Sequence, residues 1–245
     1  SYNAWMNWLR ISVERNETYA PWSMQYRALR AYYMNNGLYQ VLNQLLVEIQ
    51  MTADSRLLPL MNPANTIVEF YAGLVWPGAL PDAIKIESAN DATTKAIEKV
   101  WAWSDFSNLK QQIIRDFAMT GDSFIRIATN SDGDSQPSEV YLEMILPEFV
   151  TDMRTNKRNV LEFIRIDYPT QDWNDRTGEK KNVYVTEVFT KTDYRMWRTE
   201  NREAAKLRLP DLGKPVMQKP LAAWGIDFIP IAYSPWRAIG GEERG

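Results

Sequence analysis

The chain has 245 residues, 45 % apolar and 24 % charged, with a formal charge of −3 and neither Cys nor His. It is long enough to bury a core as one large or two small domains. Disulfides, thiolate or imidazole metal sites and Ser-His-Asp catalysis are excluded. Residues 1–120 carry 10 basic and 11 acidic side chains, and residues 121–245 carry 18 and 20. Neither half is therefore a basic module that grips phosphates by releasing counter-ions.

No stretch reaches the roughly 20 apolar residues that a membrane span needs. The opening Ser1-Tyr2-Asn3-Ala4-Trp5 lacks the basic patch and apolar run of a signal peptide. Ten Trp residues point to large buried contacts, some of them between subunits.

The first third reads as helical. Trp22, Tyr26, Leu29 and Tyr33 recur at three- and four-residue spacing, which predicts a helix over Trp22–Met34 with that face inward. Asn35-Asn36-Gly37 stops it, and Leu38, Val41, Leu42, Leu45, Leu46 and Ile49 mark a second amphipathic helix. Pro63 suits a first helical turn and starts a third, with Ile67, Val68, Tyr71 and Leu74 inward until Trp76-Pro77-Gly78. Ile84-Lys85-Ile86 alternates like a short strand. Asp91–Trp103 follows as a helix with Ala96, Ile97 and Val100 inward. Ser104 or Asp105 is placed to cap the next helix, whose inner stripe is Leu109, Ile113, Ile114 and Phe117 and whose stop is Gly121.

Beyond Gly121 the apolar period changes to two. Phe124, Ile125 and Ile127 open a strand, Asn130–Ser138 is a polar hairpin loop, and Val140, Leu142 and Met144 alternate on the return. Met153–Lys157 reads as a turn, Val160–Tyr168 as a strand and Pro169–Lys181 as a polar loop. Val183, Val185, Val188 and Phe189 form a further strand that turns at Lys191-Thr192-Asp193 into Tyr194–Thr199. Glu200–Lys214 reads as a charged, mobile connector. Phe228–Tyr233 is a last strand, which Pro230 makes an edge strand or a bulge. The expected fold class is α+β, with N-terminal helices packed on an antiparallel β-meander: a mainly helical part over 1–120 and a sheet part over 121–245.

Candidate chemistry is thin. Asn130-Ser131-Asp132-Gly133-Asp134 has calcium-loop carboxylates, but its Gly and Glu139 are wrongly spaced for an EF-hand, so a hairpin loop explains it better. Gly121-Asp122-Ser123 lacks both Gly-x-Ser-x-Gly and a His, which makes it a helix stop. Gly240-Gly241 lacks the Lys-Ser/Thr of a phosphate loop and reads as a connector. Asp105 beside Trp103 and Asp172 beside Trp173 could belong to a sugar cleft, which needs two facing carboxylates. Three basic clusters stand out: Arg154, Lys157 and Arg158; Arg176, Lys180 and Lys181; and Arg195, Arg198, Arg202, Lys206 and Arg208. Solvated turns or a partner-facing rim would each account for them. No catalytic, metal or cofactor-binding residue is assigned, and no cofactor is expected.

Several segments together resemble the wing region of tailed-bacteriophage portal proteins. They are Arg27-Ala28-Leu29-Arg30-Ala31-Tyr32-Tyr33 with Asn36-Gly37, Asn62-Pro63, and Val68–Gly78 with Ala79-Leu80-Pro81. The closest stretch is Arg115–Ile127, followed by Leu146-Pro147-Glu148 and by Phe228-Ile229-Pro230-Ile231. Gly240–Gly245 resembles the connector into a long stem helix. The stem, clip and crown of such proteins are expected outside these residues.

The resemblance implies a non-enzymatic dodecameric ring at one capsid vertex, in the virion and, during assembly, in the host cytoplasm. Double-stranded DNA would pass through it without sequence specificity. Its implied partners are identical copies, the terminase motor, the major capsid or scaffold protein, and head-completion or tail adaptor proteins, with no membrane. The alternatives are a carbohydrate-active enzyme or sugar-binding module using Trp platforms, and a capsid or baseplate adaptor of another type.

Overall fold

Asn90 sits in extended conformation and its side chain accepts the Ala92 N–H at 2.9 Å, which fixes where a helix can begin. In the computed structural model, which describes residues 22–34, 63–75, 88–129, 139–173, 178–201 and 207–235, that helix is one of four among the described residues. They are α1 (Trp22–Tyr33), α2 (Pro63–Val75), α3 (Asp91–Trp103) and α4 (Phe106–Thr120). The strands are β1 (Asp122–Thr129), β2 (Val140–Ile145), β3 (Val150–Thr155), β4 (Leu161–Trp173), β5 (Lys180–Thr190), β6 (Asp193–Thr199), β7 (Met217–Pro220) and β8 (Ile231–Pro235). The architecture is mixed α+β with an antiparallel meander, as expected, and it has a second, three-stranded sheet in addition to the single meander expected. The stretches 38–49, 84–86, 130–138 and 240–245 lie outside the described residues. The chain divides into two compact units, Ser1–Glu148 with Ser234–Arg237 and Phe149–Tyr233 with Ala238–Gly245.

In the first unit α1, α2 and α3 pack on α4, and α3 also packs on β2. Gly121 ends α4 in the left-handed conformation (φ 80°), where its N–H reaches Phe117 O at 2.9 Å. That φ is a conformation glycine adopts without cost. The chain turns directly into β1, which pairs with β2 from Phe124 opposite Ile145 to Thr129 opposite Val140. The strand order is β2-β1-β8.

Four helical expectations are corrected here. Asp105 occupies the N-cap position of α4 in left-handed conformation (φ 45°), but its side chain makes no capping bond. It accepts from Asn108 Nδ2 at 2.6 Å instead. Ser104 donates to Val100 O and accepts the Leu142 N–H at 2.8 Å, tying the end of α3 to β2. In α3 no residue is fully buried and Ala96 is exposed. In α1 Tyr26 is buried while Leu29 is exposed. In α2 the buried positions are Val68 and Ala72, and Ile67, Tyr71 and Leu74 point to solvent.

The second unit is a five-stranded meander, β3-β4-β5-β6-β7, in which each strand pairs with the next. Its core is apolar. Leu161, Ile164, Ile166, Val183, Val185, Val188, Phe189 and Trp197 are buried on these strands, joined by Leu221 and Ile229. Each such aliphatic side chain stabilises by about 1.5–3 kcal/mol on full burial.

Strand limits move in four places. Met153, Arg154 and Thr155 belong to β3, and the turn falls at Asn156–Asn159. There Asn156 Oδ1 accepts from the Arg158 and Val160 N–H groups at 2.8 and 3.0 Å, and Asn159 takes φ 58°. β4 runs on through Pro169 to Trp173, paired with Lys180 of β5. β3 pairs no further than Ile166 and β6 no further than Tyr184, so from Thr170 opposite Val183 outward β4 and β5 form a two-stranded ribbon. A ribbon exposed on both faces carries polar residues, which is why its sequence imitates a loop. A proline is tolerated where the strand has one neighbour.

Within Glu200–Lys214, Leu209–Asp211 forms a turn of 3-10 helix. Trp197 Nε1 donates to Gly213 O at 3.0 Å and Arg165 Nη1 to Leu207 O at 2.9 Å. The last strand starts at Ile231, so Pro230 stands just before it rather than inside it.

Candidate functional site

The helix stop Thr120-Gly121-Asp122-Ser123 brings a buried polar cluster to the start of β1. Asp122 accepts the Tyr26 hydroxyl of α1. Thr120 Oγ1 donates to Asp116 O at 2.7 Å, one turn back along α4. Ser123 Oγ is buried and has no hydrogen-bond partner among the described residues. A serine nucleophile needs an exposed oxygen and an adjacent base, so this geometry closes the turn and offers no reactive group.

Beside it lies a charge cluster whose members are far apart in the chain. Arg30 of α1 donates from Nε and Nη2 to the two Glu148 oxygens at 2.7 and 3.0 Å. From Nη1 and Nη2 it donates to the two Asp116 oxygens, both at 3.0 Å. Glu148 and Asp116 are both buried. Burial by itself lowers the Arg30 pKa, but the hydrogen bonds and charges of Asp116 and Glu148 outweigh it and the net direction is upward. The cation is therefore permanent, and a planar guanidinium is the side chain that can fork to two carboxylates at once. Glu148 is the last residue of the Leu146-Pro147-Glu148 segment singled out from sequence, and its work is to hold α1 and α4 at that turn.

A second link joins α1, α2 and α4. Arg115 Nε and Nη2 donate to Glu69 at 2.8 and 3.0 Å, and the Tyr33 hydroxyl donates to the same carboxylate. The Arg115 hydrogen bond, then that of Tyr33, holds the Glu69 carboxyl below its usual range, with burial opposing. The Arg115 pKa is raised mainly by the bond to Glu69. Burial and the neighbouring Glu69 push the Tyr33 phenol up to about 12. None of these ionic residues was marked from the sequence as a structural group. Their only signal there is an Arg or Glu interrupting an otherwise apolar helix face.

Of the sugar-cleft candidates, Trp103 is exposed and Asp105 accepts from Asn108, and the other pair has partners. Lys180 lies over the Trp173 ring at 5.4 Å, and Asp172 is paired with Arg198. The basic clusters are partly neutralised where they are described. Lys181 meets Glu200 at 3.3 Å and Arg195 meets Asp193 at 2.6 Å, while Arg154 stacks over Phe163 at 5.1 Å. Arg176, Arg202 and Lys206, like Asn130–Asp134 and Gly240-Gly241, lie outside the described residues. Among the described residues no group of His, Cys, Asp or Glu could hold a metal ion, and no helix is long and apolar enough to cross a membrane.

The surface presents apolar area. On α2, Ile67, Phe70, Tyr71, Leu74 and Val75 are between 49 and 65 % exposed. Contiguous apolar patches of this kind mark contact sites in proteins.

Comparison with known proteins gives the same direction. The family described as "Phage portal protein, SPP1 Gp6-like" matches residues 23–215, from the second residue of α1 to beyond β6. No individual curated protein matches the sequence. With most of its length matched, the chain belongs to the phage portal protein family, whose members are structural, non-enzymatic subunits of the portal ring in DNA packaging.

Proposed function

We propose that the chain is a subunit of a dodecameric ring that occupies one capsid vertex and passes double-stranded DNA, without sequence specificity, during packaging and ejection. The ring assembles in the host cytoplasm and stays in the virion. It docks the terminase motor, contacts the major capsid or scaffold protein, and later carries head-completion and tail adaptor proteins. Residues 1–120 supply the mainly helical part of the wing and 121–245 the sheet part.

The observation that carries this reading is the family match over residues 23–215. Physical chemistry supports it. A formal charge of −3 suits a surface past which DNA must move, since a strongly basic wall would hold phosphates by counter-ion release. Closed rings are built from head-to-tail contacts between non-identical faces, and an aromatic-rich chain has the apolar area for them.

The test is the mass of the full-length protein in solution. Mass photometry and negative-stain microscopy should show closed rings. A population that stays as single subunits at every concentration would end the reading.

A further inference from the structure

We infer that the outward face of α2 is a subunit contact, seated against a second copy of this chain in the ring. The inference rests on the ring reading above and adds which surface does the work.

Helix α2 is apolar on two adjoining sides. Val68 and Ala72 are buried on one side, in a helix that packs on α4. Ile67, Phe70, Tyr71 and Leu74 recur at i, i+3, i+4 and i+7 on the other, each about half exposed or more. A helix apolar on most of its circumference belongs inside something. With aromatic side chains of about 150–250 Å² each, this stripe offers on the order of 400 Å², near half of the roughly 800 Å² that each partner gives to a standard interface.

The chemistry of the helix narrows the partner. Its one charged residue is Glu69, which is already bound by Arg115 and Tyr33. With no cation of its own, the face has nothing to draw DNA or an acidic peptide and little to desolvate, so its complement is apolar protein. A portal subunit works as an oligomer, and each member of a closed ring meets neighbours on two different faces. A second copy is therefore the partner present in stoichiometric amount.

The full-length protein tests this by mass photometry and thermal unfolding. Phe70→Glu and Leu74→Glu should each lower the ring fraction at fixed concentration by at least about tenfold, with the unfolding midpoint of the subunit unchanged. Asn65→Lys, exposed on the side of the helix away from that stripe, should leave rings intact. The chain has no native Cys, so Leu74→Cys can be labelled alone. A maleimide should react slowly with it in rings and fast in subunits dissociated by adding Phe70→Glu.

Rings that persist in both glutamate variants would overturn the inference. So would a fallen midpoint together with a thiol already protected in dissociated subunits, because the chain's own Leu38–Ile49 stretch would then cover the face. Absence of rings in the unmodified protein would sink the functional reading itself, and this contact with it.

Discussion

The two units solve the same problem with different means. The five-stranded meander buries a nearly continuous apolar set, Ile164, Ile166, Val185, Val188 and Phe189 among them. Each strand finds its partner next to it in the chain. Among the described residues the helical unit buries fewer large apolar side chains, and it encloses Lys110, Asp116, Asp122 and Glu148, where the meander encloses Arg165, Thr186 and Glu187. Arg30 binds both Asp116 and Glu148 across 86 and 118 residues of sequence. Apolar packing is tolerant of shape, whereas an ion pair at hydrogen-bond distance allows one arrangement. The comparison teaches that the helical unit uses an ionic cluster to set how α1, α4 and the segment ending at Glu148 meet, while α2 leaves apolar side chains on the surface.

That contrast can be broken most directly by cutting each interior in turn and following hydrogen exchange unit by unit. Ile164→Ala, at a fully buried position, should cost about 4 kcal/mol through the cavity it leaves, with the loss read in β3 to β6. Arg30→Met should cost about 3 kcal/mol, because two buried carboxylates lose their cation. Adding Asp116→Leu and Glu148→Leu should then recover most of that loss. Failure of the triple variant to recover would show that the clamp adds stability of its own rather than specifying geometry.

A smaller effect separates surface from interior. The Glu69 carboxyl is held below its ordinary pKa of 4.5, chiefly by the Arg115 hydrogen bond. Its contribution is therefore present above about pH 4.5 and is lost as the pH falls through the depressed value. The pair is more than a third exposed, so solvent screening limits it to under about 1 kcal/mol. Comparing unfolding midpoints of the native chain and Glu69→Gln at neutral and acid pH should show a difference that closes in acid and shrinks in salt. A difference that widened in acid would reverse the assigned direction.

The smallest expected change is at Ser123. Its buried hydroxyl has no partner among the described residues, so Ser123→Ala should leave stability within about 0.5 kcal/mol or raise it slightly. A loss above about 1 kcal/mol in urea unfolding would mean that the hydroxyl is bonded.

Much of this was legible beforehand where the physics is local. The Asp91–Trp103 helix has the limits its composition implies, and Gly121 ends α4 with a left-handed cap. The period change after Gly121 marks where strands replace helices. The absence of His and Cys narrowed the chemistry without any coordinates. Other features were not legible, because two readings of the same residues are locally equal. The polar stretch Pro169–Lys181 fits a loop or a solvated ribbon, and only its pairing with β5 decides between them.

From sequence alone, this protein has an α+β order of elements, a composition that excludes His- and Cys-based chemistry and portal-like segments, since periodicity, caps and residue chemistry act over a few residues. The tertiary structure alone decided which side of α1 and α2 faces inward and which charges meet. An amphipathic pattern shows that a side will be buried, whereas the choice between two apolar sides belongs to whichever distant element packs there. Arg30 acquires its role only when Asp116 and Glu148 are brought to within 3.0 Å of it.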